Sequence, residues 1–320
     1  MKKYFLILLF PLALLSCKEE NKTEEAVAAV EVGEVDIKRF DKIFYESKPE
    51  DLPKIKQQFP YLFPPNNPDT VWINKINNPL LQELHNEVEE KFPDNKMLQE
   101  DLQDVFRHMK YYFPDFTKPQ IVTLISEMDY ENKVIYTDSL VLISLDLYLG
   151  KDHRFYEFPD YVRQNFEPEQ IMPDLVSSFG FNRIAPPKDR TLLSLMIYFG
   201  KEQYLKDRLL PDATDAVKMG YTPEQIEWAK VNEAEIWRYF VENKLLFDTN
   251  SKLPPRFINP APFSKFYLEL DNESPGRLGI WLGWQIVRSY MENNKDVTLQ
   301  ELLVKDAREI FDNSKYKPKK

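Results

Sequence analysis

The chain has 320 residues, of which 43% are hydrophobic and 14% aromatic, so it can bury a sizeable core in one large or two small domains. Its 52 acidic residues outnumber its 42 basic ones, and a formal net charge of −10 disfavours nucleic acid as a partner. A single cysteine excludes an internal disulfide, and three histidines leave few ligands for a metal site.

Residues 1–17 have the pattern of a lipoprotein signal. Lys2 and Lys3 form a positively charged start, an apolar stretch follows, and the segment ends Leu-Leu-Ser-Cys. This ending resembles the lipobox of bacterial lipoproteins, in which the cysteine becomes the acylated N-terminus. We therefore predict a signal peptide over 1–16 and a lipid on Cys17 that anchors the protein to a membrane. The apolar stretch is short for a membrane-spanning helix.

Residues 17–35 are predicted to be a flexible tether, because the segment is rich in charge and lacks aromatic side chains. Its start, Lys18-Glu19-Glu20, resembles a signal that directs lipoproteins to the outer face of the outer membrane in some bacteria, although an ordinary tether has a similar composition. We expect the anchor in the outer membrane rather than the inner one, with surface exposure left open. Residues 36–314 are predicted to form one globular domain, and 315–320 a frayed basic tail.

Helical patterns outnumber strand patterns along the domain, so we predict an α+β fold that is predominantly helical. β-branched and apolar residues between 119 and 149 predict a small antiparallel sheet, and residues 35–40 a further short strand or turn. The predicted helices cover 52–58, 80–91, 97–112, 169–180, 191–209, 223–246, 276–293 and 298–311.

The segment 258–294 holds most of the candidate binding residues. We predict a helix from about Gly276, with Ser274 as its N-cap and Pro275 at its first position. Glycines at 276, 279 and 283 predict close packing against another helix, or a groove for a ligand. Arginines and tryptophans at helical spacing suit a glycan, a peptide or a partner helix, or the boundary of the core. The candidate surface consists of Arg277, Trp281, Trp284, Arg288, Asp271, Glu273, Asn232 and Glu233.

The sequence contains no catalytic motif that we can assign. His85, His108 and His153 are far apart, without the His-Glu-x-x-His pair of zinc hydrolases. A Gly-x-Ser-x-Gly nucleophile motif and a phosphate-binding glycine loop are also missing from the sequence. We therefore predict a protein that is not an enzyme and that uses no cofactor or metal.

Several short segments, together with the lipobox, carry a resemblance to a known family. They are Tyr198-Phe199-Gly200-Lys201, Gly220-Tyr221-Thr222-Pro223, Asn232-Glu233 with Ile236-Trp237, the segment 262–267, the segment 271–277 and the segment 284–290. These segments are similar to the gliding-motility lipoprotein B family, GldB, over nearly the whole chain. The resemblance implies a lipid-anchored envelope protein needed for cell movement over surfaces. It also implies action through contacts with envelope proteins of the motility machinery or its associated secretion machinery.

The order of elements also resembles that of zincin-like metallopeptidases, in which a sheet precedes a helix with two histidines and a helix with a third ligand. Here the helix over 169–180 has no histidine, and Phe199 stands where the ligand glutamate would be expected. This likeness implies a peptidase scaffold that has lost its metal and binds a peptide beside Phe199; an active peptidase is the less favoured variant. A third alternative is a glycan-binding surface lipoprotein that uses Trp281 and Trp284, which requires exposed indoles.

Overall fold

The computed structural model describes residues 22–268 and 271–318, so the predicted signal peptide and Cys17 lie outside the described residues. Helices dominate the fold, as predicted, and a small sheet accompanies them. The strands are β1 Ile37–Arg39, β2 Gln120–Leu124, β3 Val134–Tyr136 and β4 Leu140–Ser144. The α-helices are α1 (22–28), α2 Phe40–Tyr45, α3 Leu52–Gln58, α4 Asp69–Ile76, α5 Pro79–Lys91, α6 Lys96–Tyr112, α7 Asp160–Arg163, α8 Ile171–Phe181, α9 Leu192–Leu209, α10 Asp215–Met219, α11 Pro223–Val231, α12 Glu233–Glu242, α13 Pro254–Phe257, α14 Leu278–Asn293, α15 Leu299–Val304 and α16 Ala307–Ser314. Within 22–268 and 271–318, none of the helices combines the length and the apolar character needed to cross a membrane.

The sheet is mixed, which corrects the antiparallel sheet predicted from the sequence. Its strand order is β1-β2-β4-β3, and β1, β2 and β4 are parallel to one another. Only β3 runs antiparallel to β4. The chain turns back once before β3 and again after it, so β4 regains the direction of β2 and pairs with it directly. Alternating sequence patterns identify strands but do not give their direction.

The described part of the predicted tether packs on the domain instead of extending from it. Val27 and Val35 are each 2% exposed, and the Gln99 side chain donates a hydrogen bond to the Val35 carbonyl over 2.9 Å. Although residues 22–35 are rich in charge, their few valines reach apolar surface and their backbone finds donors on α6. The described residues 22–35 therefore belong to the packed domain, whose start was predicted at residue 36.

The predicted tail is also held in its described part, 315–318. The ring of Tyr316 lies 5.2 Å from that of Trp237, and its hydroxyl donates to Glu233 over 2.6 Å. An aromatic ring within a basic segment thus anchors the end of the chain. Two of the predicted helices are each divided, because Asn232 separates α11 from α12 and Lys305 lies in an extended conformation after α15.

Helices α9 and α14 form the most extensive contact between two elements of the described chain. Gly200 and Gly283 lie where they cross. A Cβ built on Gly200 would lie 2.5 Å from the carbonyl carbon of Gly283, and one built on Gly283 would clash with the Met196 carbonyl oxygen. The predicted close packing against another helix is therefore confirmed at Gly283, and its counterpart on α9 is Gly200, which the prediction did not include. The backbone of the neighbouring helix fills the space that a ligand groove would need.

Helix α14 begins at Leu278, two residues later than predicted. Arg277 precedes it in the left-handed conformation, with φ of 60°, and this turn prevents the helix from extending back to Gly276. Ser274 does not cap the helix, because Arg277 occupies the N-cap position, and the Ser274 hydroxyl faces the Asp271 and Ser264 carbonyl oxygens at 2.7 and 3.1 Å. The hydroxyl of Ser264 instead accepts a hydrogen bond from the Leu278 N–H over 3.2 Å.

Candidate functional site

Both tryptophans of the candidate surface are buried. Trp281 is 1% exposed and Trp284 is 0% exposed, and both belong to the hydrophobic core. A sugar ring stacks on an indole only when one face of the indole is open to solvent. The glycan-binding alternative, which depended on exposed indoles at these two positions, is therefore wrong.

Trp284 and Arg288 join a charged network with Asp207 of α9. The indole N–H of Trp284 donates to Asp207 over 2.8 Å, and the Arg288 guanidinium donates to the same carboxylate over 2.7 and 2.6 Å. Arg288 also stacks on the Trp284 ring and donates to Asp215 over 2.8 Å. Burial raises the pKa of Asp215, but the hydrogen bonds with Arg288 and the positive charges of Arg288, Lys230 and Lys218 together outweigh burial and hold that pKa below its usual value. The network ties α14 to α9 and α10, so its role is structural.

Of four further residues of the candidate surface, three support loops and helix ends and one is exposed. Asp271 accepts hydrogen bonds from three successive backbone N–H groups, at residues 266–268. Asn232 donates to the carbonyl one turn earlier in α11, and Glu233 accepts from a tyrosine hydroxyl. Glu273 is exposed. None of the four lines the cleft that the structure forms beside Phe199.

This cleft has a volume of about 720 Å³ and is lined by Phe199. Its other lining residues come from α8, α9, the turn between α10 and α11, the segment 258–261 and the start of α14, with 130–133 and 161–166 completing it. The volume is in the range of sites that hold small molecules or short peptide segments. Of the candidate surface, only Arg277 lies in this cleft.

Two cations stand together at the C-terminal end of α10. The Lys206 ammonium donates to the Lys218 carbonyl over 3.2 Å, and the Arg277 guanidinium donates to the Met219 carbonyl over 2.6 Å. Carbonyls at the end of a helix carry partial negative charge, which favours cations there. Lys218 and Met219 are neighbours in the chain, so the charged groups of Lys206 and Arg277 bind adjacent carbonyls in the lining of the cleft.

The charge of Lys206 is balanced within the protein. The side chain is 6% exposed, and burial lowers the pKa of its ammonium, with the carboxylates of Glu202 and Asp174 acting in the opposite direction. Its Nζ lies 3.6 Å from Glu202 Oε1, and the same Glu202 oxygen accepts a hydrogen bond from the Ser177 hydroxyl over 2.7 Å. Lys206 therefore has a carboxylate partner of its own.

Arg277 differs from the other cations of the cleft. Lys133 pairs with Asp174 over 2.5 Å, and Lys218 pairs with Asp207 over 3.2 Å. Arg277 donates to backbone carbonyls and faces the Tyr221 ring at 5.7 Å, but no carboxylate of the described residues lies within ion-pair distance of it. Its guanidinium has more donors than these contacts use.

An unpaired amide lies on the same wall of the cleft. Gln203 is 3% exposed, and its Oε1 is buried without a hydrogen-bond partner among the described residues. Leaving a buried acceptor unpaired costs about 1–3 kcal/mol. Gln203 therefore offers an acceptor to a donor that enters the cleft.

The sequence profile of the family described as Gliding motility protein GldB, labelled as a lipoprotein family, matches residues 20–318. The chain belongs to the GldB family. No curated protein and no solved structure matches it.

Membership of the GldB family confirms the first resemblance and leaves the zincin-like one a prediction. Phe199 lies on α9, as that likeness required, and it does face a cleft. The three histidines lie outside the cleft, and His153 is instead bound to Glu87 over 3.2 Å. In the described part of the chain, no group of three or more His, Cys, Asp or Glu residues is arranged to hold a metal ion.

Sequence reasoning missed three polar residues of this cleft, namely Gln203, Lys206 and Lys218. A signal was present, because α9 places Glu202, Gln203 and Lys206 on a helix whose first half is strongly apolar. A polar group on the buried side of such a helix is more informative than an apolar one. The signal could not show that the end of α10 and the start of α14 meet these side chains.

Proposed function

We propose that this gliding-motility lipoprotein is non-catalytic and acts by binding a protein of the cell envelope, with the cleft beside Phe199 receiving an extended segment of that partner. Membership of the GldB family supports a role in gliding motility, and we propose the cleft as the surface that contacts the partner. The observation that carries the proposal is a cleft of about 720 Å³ whose lining includes an arginine without a carboxylate partner among the described residues and a buried amide oxygen without a hydrogen-bond donor.

A peptide is the ligand that best suits this lining. Arg277 presents spare N–H donors, while Gln203 presents an unpaired carbonyl oxygen. A peptide backbone carries carbonyl acceptors and N–H donors at every residue, so it satisfies both kinds of group at once. Phe199, Ile258 and Ile280 add apolar surface for its side chains.

The charges of the cleft favour binding over chemistry. Lys133, Lys206 and Lys218 are each held by a carboxylate, and the histidines lie elsewhere. A general base needs a free group within reach of the proton that it takes. The paired groups of this cleft are better suited to orienting a ligand.

The predicted lipid on Cys17 would hold the domain at a membrane, and we place that anchor in the outer membrane. The domain would then meet partners of the motility machinery, or of its associated secretion machinery, close to the membrane surface. The hydrophobic signal of 1–16 and the acidic residues after Cys17 support this arrangement.

Blocking the cleft tests the proposal. Asn259 is exposed and lines the cleft, so Asn259→Trp introduces a large ring where the partner segment would lie. Asn182→Trp places the same ring on an exposed site outside the cleft and serves as the control. Gliding cells carrying each variant are compared for movement and for the proteins that crosslink to the lipoprotein.

We expect Asn259→Trp to abolish gliding and to remove a specific crosslinked envelope protein, while the variant stays folded and in the membrane fraction. Asn182→Trp should keep both properties. Cys17→Ala should release the protein from the membrane fraction. Normal gliding by Asn259→Trp cells would refute the role of the cleft, and stoichiometric zinc or peptide cleavage by the purified protein would refute a non-catalytic role.

A further inference from the structure

Arg277 is held in a costly backbone conformation at the edge of the cleft. Its φ of 60° is left-handed, a conformation that is unfavourable for a residue other than glycine. Strained residues of this kind concentrate at ligand clamps, where the surrounding structure enforces them. Here the conformation directs the guanidinium to the end of α10, where it donates to the Met219 carbonyl over 2.6 Å.

The positive charge of Arg277 is not neutralised by a carboxylate of the described residues. Helix-end carbonyls carry only partial negative charge, and no carboxylate of the described residues pairs with its guanidinium. The whole chain has a formal net charge of −10, so a half-buried cation without an acidic partner departs from the general charge balance. A planar guanidinium binds carboxylates through two parallel hydrogen bonds.

Gln203 supplies the second half of the recognition. It precedes Lys206 by three residues on α9, so the two side chains share one helix face. The buried Oε1 of Gln203 requires a hydrogen-bond donor, and a bare carboxylate has none. The ligand must therefore carry an N–H close to its carboxylate.

We propose, building on the peptide-binding function above, that the cleft recognises a peptide carboxylate through Arg277, with Gln203 accepting a hydrogen bond from an adjoining amide N–H. This carboxylate comes from a chain terminus or from an acidic side chain. Both sources place a carboxylate within a few bonds of a backbone N–H.

Three synthetic peptide libraries of randomised neutral residues distinguish the sources. The first ends in a free carboxylate, the second ends in an amide, and the third ends in an amide and carries one fixed central Glu. Retention of each library on the immobilised mature protein is measured for the wild type and for four variants, with thermal melting as the check of folding.

Two variants alter the proposed contacts, one is a control and one blocks the cleft. Arg277→Asn removes the guanidinium, and asparagine tolerates the left-handed conformation. Gln203→Glu keeps the shape of the side chain but places a negative charge beside the proposed carboxylate. Arg190→Asn removes an exposed arginine outside the cleft and is the control. Asn259→Trp blocks the cleft as a whole.

We expect the wild type to retain a carboxylate library at least tenfold better than the amide library. The loss should be about ten- to hundredfold in Arg277→Asn, which loses the charge-assisted contact, and in Gln203→Glu, in which the added negative charge repels the proposed carboxylate. Arg190→Asn should behave as the wild type. Preference for the first library identifies a chain terminus, and preference for the third identifies an acidic side chain.

Two results separate this inference from the function on which it rests. If the wild type retains all three libraries equally and Asn259→Trp abolishes retention, the cleft binds peptides but the carboxylate inference is overturned. Undiminished retention by a folded Arg277→Asn overturns it as well. If the wild type retains none of the libraries, peptide binding itself fails.

Discussion

Asp207 holds together three helices, so replacing it with alanine should destabilise the protein more than any exposed substitution. Its carboxylate accepts hydrogen bonds from Trp284, Arg288 and Lys218 at distances of 2.6–3.2 Å. In Asp207→Ala, the indole N–H of the fully buried Trp284 loses its acceptor, and Lys218 loses its carboxylate partner. Arg288 retains Asp215 at 2.8 Å and is only partly released.

The expected loss is about 3–5 kcal/mol, which is typical for removal of one partner from a buried ion pair. The individual hydrogen bonds are not summed, because contacts within one network are not additive. For a domain of this size, the loss corresponds to a fall in Tm of roughly 6–10 °C. Asp207→Asn keeps one acceptor oxygen and should lose about half as much.

Urea unfolding of the mature protein measures the change, with tryptophan fluorescence as the signal. Asp212→Ala is the matched control, because Asp212 is exposed in the neighbouring turn, and it should change the free energy of unfolding by less than about 0.5 kcal/mol. If Asp207→Ala behaves like Asp212→Ala, the network does not hold the helices together. The half-buried Arg288 and the buried Trp284 would then owe their positions to packing alone.

Three further predictions concern stability. Gly283→Ala should cost at least about 2 kcal/mol, because the added methyl meets the Met196 carbonyl; an unchanged Tm would contradict the close crossing. Asp146→Ala should cost roughly 2–4 kcal/mol in urea unfolding, because the fully buried carboxylate accepts two backbone N–H groups of the loop 126–128 at 2.9 Å, and a loss below 1 kcal/mol would contradict this role. Burial lowers the pKa of Lys201 from 10.5 to about 8, so the unfolded chain binds the proton more tightly between these values. The stability of the wild type relative to Lys201→Met should therefore rise from about pH 8 to about pH 10.5, by on the order of 3 kcal/mol, and a flat difference would contradict the lowered pKa.

Local sequence signals predicted helix starts well, because a helix start depends on residues that are close together in the chain. Thr191 was placed at the start of the long helix α9, and its hydroxyl does accept a hydrogen bond from the Ser194 N–H over 3.2 Å. The direction of the strands was not predictable in this way. It depends on which strands pair, and the pairing of β2 with β4 joins residues that are separated by a third strand.

In the candidate site, too, contacts within one helix were predictable and contacts between helices were not. The spacing of Trp284 and Arg288 correctly indicated neighbours on one helix face, and the guanidinium lies 3.7 Å from the ring centroid. The spacing could not show that Asp207, on another helix, accepts hydrogen bonds from both side chains. Helix periodicity could not predict that Arg277 lines the cleft. Arg277 has a left-handed backbone and precedes α14, so the periodicity of the helix does not set the direction of its side chain.

The crossing of α9 and α14 therefore does more than fill the core, since it determines the geometry of the cleft. Gln203 and Lys206 follow the crossing residue Gly200 on α9, while Arg277 precedes Gly283 on the other helix. At 1.5 Å per residue, the Cα atom of Lys206 lies about 9 Å along α9 from the crossing, and Arg277 immediately precedes the first turn of α14. A methyl group at the crossing must separate the two backbones, and so it would move Arg277 relative to Gln203. The glycines that allow close packing thus also set the distance between the two groups proposed to bind the ligand.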